Sequence, residues 1–386
     1  MIINFTGVSG SRVAYLASKE IKNYNSTLIV VSSGLVADRL REDISFFVPD
    51  ISVQTLPEKE DFHFLYEARD KDELVRRIRG MESLAGTSHD VVIVPISALL
   101  PTVDEKAHFL KYRRMIRLGD EVDPDELKNF LVQAGYEYNS VTSAPGEFSG
   151  RGDIIDVYSP SMENPVRIEF FDTEIDSLRT FDPVSQRSVE SVSQFQIVPA
   201  VEFMPEPEAV EKALERIEAE YRKRIDELKE QLEKENLTDG RIERYEEELG
   251  RIREMFRNRT NLPIFSEYIS YFDVPETRMW NYMNNGLVLV YDPARIGEAI
   301  PEYQDKDSFL RMYRECENIR ITTPFPERIE GVDRLDEIQN IESRPVAPFN
   351  GQLQMLASSV KGYLKKGYEV HLVSSTEERG TRLREY

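Results

Sequence analysis

The sequence predicts an α/β protein with a parallel sheet, joined to a smaller α+β domain and a helical hairpin. Three changes of period predict it. Over about the first 110 residues, short apolar runs alternate with helical patterns, as in a parallel sheet covered on both faces. From Gly146 to Asp182 the period becomes two, with turn residues between short runs. From residue 208 to 258 apolar residues recur at steps of three and four among Glu, Lys and Arg.

At 386 residues the chain is long enough for roughly two to four domains, each with its own core. Hydrophobic content of 40% with 31% charged residues is that of a soluble globular protein. A net charge of -21 disfavours phosphate backbones as partners, since nucleic-acid affinity rests on Lys and Arg displacing counterions. The arginines of Leu74–Arg79 and Tyr112–Arg117 sit at helix-like spacing and read as solvated helix faces. Cys316 is the single cysteine, so no intrachain disulfide forms and a reducing cytoplasm is expected. The sequence shows neither a charged leader nor a long apolar segment, so no membrane association is expected.

In chain order, Ile2–Phe5, Thr27–Val31, Val53–Leu56 and Val91–Val94 read as strands, and Val13–Lys22, Val36–Phe46 and Asp72–Ser83 as helices. The loop after the first strand, Gly7-Val8-Ser9-Gly10-Ser11-Arg12-Val13-Ala14, has the place and two of the glycines of a phosphate-binding loop. Val13 stands at the lysine position and Ala14 at the hydroxyl position, while Arg12 leaves the helix in another direction. A degenerate loop that binds no nucleotide is expected.

Leu118–Val122 reads as a strand leading into a helix, with Asp123 as N-cap, Pro124 at the first helical position, Glu126 as an N3 carboxylate and Gly135 as the stop. The carboxylates here and at Asp172–Asp176 read as caps and turns. No histidine accompanies them, and His63, His89, His108 and His371 are scattered without ligand spacing, so no metal site is expected.

Asn164 and Pro165 break one run from the next, so Val166–Phe171 begins a new strand. Val166, Ile168 and Phe170 share one face; Arg167, Glu169 and Phe171 share the other. A large aromatic beside an arginine on the outward face has the composition of a protein-binding patch, unless a neighbouring loop covers Phe171.

Val210, Leu214, Ile217, Tyr221, Ile225, Leu228 and Leu232 mark a long amphipathic helix. Leu237-Thr238-Asp239-Gly240 breaks it, and Ile242, Tyr245, Leu249, Ile252 and Phe256 resume the spacing. An antiparallel hairpin follows, with a coiled-coil dimerisation arm or scaffold as the alternative. Thr277–Met283 reads as a helix with Trp280 in a core, and Leu287–Tyr291 as a strand. Residues 301 to 348 read as a connector with a few short strands, Leu353–Lys366 as a helix, Glu369–Ser374 as a strand and Glu377–Arg384 as the start of another helix. The pattern stops in mid-element at Tyr386, so the chain is expected to be part of a longer protein.

Gly146-Glu147-Phe148, Arg151-Gly152-Asp153-Ile154-Ile155-Asp156, Val166–Asp172, Glu174–Arg179, Phe181-Asp182 and Ser185-Gln186-Arg187 form a long ordered pattern. It resembles the UvrA-binding domain of the Mfd-type transcription-repair coupling factors, a domain shared with the excision nuclease subunit UvrB. The resemblance covers nearly the whole chain and is most specific over 146–200. It implies UvrA as partner, with Arg151, Arg167 and Phe171 at the contact positions. It implies a first α/β domain in 1–118 and 259–300 whose nucleotide site is lost, a UvrA-binding domain in 119–205, a hairpin in 206–258, a connector in 301–348 and the opening of a third domain in 349–386. ATP, magnesium, DNA and RNA polymerase would engage other domains of the whole translocase, leaving this region a binding module without ATPase. An ATPase of the UvrB kind is the alternative; it is disfavoured by Val13 and by the absence of UvrB's tyrosine-rich hairpin.

Overall fold

The computed structural model describes residues 1–58, 71–235, 240–259, 262–301, 304, 306–333, 335–342, 346, 349, 351–372, 374 and 376–384. The chain packs as two units, one of Met1–Glu58, Gly86–Ile96 and Asn285–Tyr386, the other of Lys59–Ala85 and Ser97–Asn284. In chain order the first unit supplies strands β1 (Ile2–Thr6), β2 (Ser26–Val31), β3 (Val53–Thr55) and β4 (Asp90–Pro95). The second supplies β5 (Arg114–Arg117), β6 (Glu137–Tyr138), β7 (Glu147–Arg151), β8 (Ile154–Val157), β9 (Val166–Phe171), β10 (Glu174–Phe181), β11 (Ser188–Ser191) and β12 (Gln194–Ile197). The chain then returns to the first unit for β13 (Leu287–Tyr291), β14 (Ile319–Thr323) and β15 (Glu337–Asn340).

The first unit is α/β. Its parallel sheet runs β15-β1-β14-β13-β2-β4-β3. Leu28, Ile29, Val30 and Val31 are all fully buried, because the sheet is covered on both faces and its strands need no polar alternation. The helix Ser11–Glu20 turns Val13, Ala14 and Ala17 inward, and Ser33 caps the helix Gly34–Phe47 by accepting from Val36 N at 3.4 Å.

Residues 301–348 hold the short strands expected of them, but as part of the first unit's sheet rather than as a connector. They supply the helix Lys306–Glu315, the edge strand β15 and, between β1 and β13, the fully buried β14. Its sequence, IRITT, looks polar because its polar groups find partners inside. Arg320 reaches Glu20 at 2.6 Å and the Tyr24 hydroxyl at 3.1 Å, and Thr322 donates to the Val290 carbonyl. After the helix Leu353–Lys365, the described residues of Glu369–Ser374 contain no strand, contrary to expectation, and Glu377–Arg384 is helical.

The second unit holds a six-stranded sheet, β11-β10-β9-β8-β7-β6, and a two-stranded one, β12-β5. All neighbours in the larger sheet are antiparallel except β6 and β7. The inner faces close on Ile116, Leu127, Leu131, Phe148, Val166, Ile168 and Phe195. The helix Pro124–Gln133 starts as its cap residues dictate, Asp123 accepting from Asp125 N at 2.8 Å and Glu126 N at 3.1 Å, and Gly135 ends it at φ 87°. Leu118–Val122 is not a strand. The strand lies earlier, at β5, and Gly119 at φ 82° turns the chain away from it.

The helices Pro207–Glu235 and Arg241–Asn258 close on each other through Leu214, Ile217, Tyr221, Leu249, Ile252 and Phe256. Glu218 meets Arg253 at 2.7 Å and Glu211 meets Arg257 at 3.7 Å, a rising number against a falling one, so the hairpin is antiparallel. The expected break at Leu237–Asp239 lies outside the described residues, as do His63 and Tyr386. Trp280 is 3% exposed, in a 3-10 turn at Met279–Tyr282 rather than an α-helix.

The arginines of Leu74–Arg79 are not all solvated: Arg77 is buried against Glu202, and Arg79 donates to the carbonyls of Pro160 and Met162. Arg113 pairs with Glu82 at 2.9 Å, and Arg114 and Arg117 lie on β5, not on a helix. Residues 97–118 and 259–284, expected with the first α/β domain, pack with the second unit.

Candidate protein-binding surface

The outward face of the larger antiparallel sheet carries Arg151, Arg167 and Phe171. On β9 the alternation is complete: Val166 and Ile168 are fully buried, Phe170 is 7% exposed and Phe171 76% exposed. Among the described residues, no loop covers Phe171. A two-residue turn at Asp172-Thr173, with Asp172 at φ 58°, joins β9 to β10 and leaves Phe171 opposite Glu174 at the open end of the sheet. Arg151 reaches that end from β7, just before the Gly152-Asp153 turn, with Gly152 also at φ 58°. Phe170 N donates to the Asp153 carbonyl at 2.8 Å, which sets that turn beside Phe171.

Arg167 differs from the expectation of a free, exposed side chain. Register places it opposite Asp156 on β8 and Arg179 on β10. Its Nε donates to Asp156 Oδ1 at 2.8 Å and its Nη2 to Oδ2 at 2.7 Å, and the guanidinium lies 4.7 Å from the Phe181 ring centroid. The Asp156 hydrogen bonds push Arg167 above the ordinary guanidinium value. The fork is paired because β8 carries an acid on its outward face, a partner visible only once the two strands are in register.

Arg151 and Arg167 line one concavity of about 310 Å³ with Ser149, Ile154, Asp156 and Gln186. The Gln186 amide donates to the Thr142 carbonyl at 3.1 Å, and the Thr142 hydroxyl to Ser149 Oγ at 2.9 Å, which pins the 140–146 loop against this end. Glu147 accepts from Ser143 N at 3.0 Å and Ala144 N at 2.9 Å. Burial raises its carboxyl, but these bonds and the Lys71 charge prevail and hold it below the usual range. Arg179, opposite Arg167 on β10, lies 3.7 Å from Glu169. Sequence reasoning named Asp156, Phe181 and Gln186 only as part of the family pattern and gave them no role at the surface.

The loop Gly7–Ala14 is closed on itself. Gly10 N donates to the Tyr291 hydroxyl at 3.2 Å, and Arg12 bends back to the Gly7 carbonyl at 3.4 Å and Ser9 Oγ at 3.5 Å. Val13 and Ala14 are wholly buried, and a Cβ on Gly7 would lie 2.7 Å from the Ile341 carbonyl oxygen. Ser11 begins the helix. Among the described residues, no group of three or more His, Cys, Asp or Glu is placed to hold a metal ion, and no helix is long and apolar enough to cross a membrane.

Residues 115–203 match the profile of the UvrB interaction domain. Over 98% of its length the chain is similar to the transcription-repair-coupling factors of Bacillus subtilis (strain 168), at 27% identity, of Staphylococcus aureus (strain USA300), at 25%, and of Staphylococcus epidermidis (strain ATCC 12228), at 26%. It spans 33% of the length of each. The matched segment and the similarity over 98% of the chain agree: this chain is similar to a third of a transcription-repair-coupling factor and matches the UvrB interaction domain over residues 115–203.

Proposed function

We propose that this chain is the UvrA-recruiting module of a transcription-repair coupling protein, and that Arg151, Arg167 and Phe171 form its contact surface. One observation carries the reading: within the segment matched to the UvrB interaction domain, Phe171 stands 76% exposed on the same sheet face as two arginines. An aromatic anchor beside arginine forks is the composition of a binding hot spot. In this reading the whole protein removes stalled RNA polymerase at lesions and delivers the excision machinery in the cytoplasm. DNA, RNA polymerase, ATP and magnesium would engage parts of it beyond the matched third. This chain acts as a binding module without ATPase, a reading supported by the buried Val13 and Ala14 and by the Tyr291 hydroxyl on Gly10 N.

Calorimetric titration of UvrA into the chain tests it. Phe171→Ala is expected to weaken binding about 30-fold or more, the equivalent of about 2 kcal/mol. Arg179→Ala, whose side chain is directed to Glu169, is expected to change it little. Equal affinity of Phe171→Ala and the parent would remove the surface assigned.

A further inference from the structure

We propose that Asp156 and Phe181 are positioning residues that present Arg167 to the partner, so that Arg167 acts by a fixed direction and Arg151 by its charge. This rests on the UvrA reading above and deepens it.

Arg167 has spent two of its donors, Nε and one Nη2 hydrogen, on Asp156, and one face on Phe181. Its side chain is 24% exposed and that of Asp156 11%. Phe181, fully buried, stands apart from the inner core of the sheet, on the outward side beneath the guanidinium. These contacts hold the guanidinium plane in one orientation before any partner arrives. The rotamer freedom that a loose arginine gives up on binding has already been lost on folding. The pair is neutral as a unit, so Arg167 offers its remaining N–H groups at the concavity rather than a net charge. Arg151, on the same concavity, has no ion-pair partner among the described residues and is exposed at the end of β7. Exposed unpaired charge governs encounter and salt dependence, whereas a held, half-buried fork governs dissociation.

The test measures association and dissociation rates with UvrA at two salt concentrations, with melting temperature for each variant. Asp156→Asn keeps the shape of the carboxylate but frees the fork; it is expected to speed dissociation roughly tenfold, close to the effect of Arg167→Ala. The double variant should be no worse than Arg167→Ala alone. Phe181→Leu keeps the ion pair, removes the stacking face and should give a smaller loss of the same kind. Arg151→Ala should instead slow association and flatten its salt dependence. If the Asp156 and Arg167 effects multiply, or if a folded Asp156→Asn protein binds as the parent does, the positioning role is wrong. Phe171→Ala separates the two levels. If it retains affinity, the UvrA surface itself fails; if it loses affinity while folded Asp156→Asn and Phe181→Leu bind normally, only the present inference fails.

Discussion

Arg77 and Glu202, 125 positions apart, meet as a fork on a carboxylate, with Nε to Oε1 at 2.8 Å and Nη2 to Oε2 at 2.9 Å. Both side chains are almost wholly buried, at 3% and 5% exposure, and Arg77 Nη1 donates to the Ala98 carbonyl. Taking one partner away strands a charge where water cannot reach it. Arg77→Ala or Glu202→Ala is therefore expected to destabilise the second unit by about 3–5 kcal/mol, while Arg77→Met with Glu202→Leu should come within about 1 kcal/mol of the parent. Urea unfolding of the three proteins checks this; equal costs for the single and double variants would mean that packing, not charge, holds the site.

The two residues of β9 with outward side chains in the contact surface should separate in stability. Phe171→Ala removes an exposed ring and is expected to shift unfolding by no more than about 0.5 kcal/mol. Arg167→Ala leaves the Asp156 carboxylate without its fork and should cost about 1–3 kcal/mol. Thermal melts of both variants decide it, and a larger loss for Phe171→Ala would show that the ring packs rather than projects.

His108 Nδ1 lies 2.6 Å from Asp104 Oδ2, and this hydrogen bond raises the imidazole above its ordinary 6.5, against an opposing effect of burial. A raised folded pKa stabilises the protein fully below the unfolded value and ceases to do so as pH rises through the folded one. Stability should therefore fall from about pH 6.5 upward in the parent, and His108→Gln should flatten that slope. Midpoints of denaturant unfolding between pH 5.5 and 8.5 read it directly (a range of about three units around the imidazole value).

Restoring the chemistry of a phosphate loop by sequence alone should fail. Val13 and Ala14 point into the core, so Val13→Lys with Ala14→Thr buries a charge and a hydroxyl rather than presenting them to phosphate. The variant is expected to lose several kcal/mol, about 3 or more, and to show no saturable isotherm with magnesium-ATP. The parent should also give none. A low-micromolar isotherm from either would overturn the degenerate-loop reading.

The alternation on β9 was legible because period two survives wherever one sheet face is buried, and the amphipathic hairpin for the same reason at period 3.6. β14 was not. Arg320, Thr322 and Thr323 look like solvent-facing residues until Glu20, Tyr24 and Val290 are folded around them. Arg77 and Arg167 escaped in the same way: their acids lie on other strands or far along the chain, and local spacing carries no trace of a long-range pair. Leu118–Val122 misled because its apolar ends suggested a strand, while Gly119 had already set the turn.

The centre of the first unit's sheet is written late in the chain. β14 and β13 lie between β1 and β2, yet they come only after the chain has left that unit at Ile96 and returned at Asn285. On a ribosome adding about 5–20 residues per second, the early strands wait on the order of ten seconds or more for the two that join them. The stretch Ser97–Asn284 emerges whole in that interval and can fold first. The edges of β1 and β2 that β14 and β13 cover are therefore expected to stay unpaired during synthesis until residue 323 has cleared the exit tunnel.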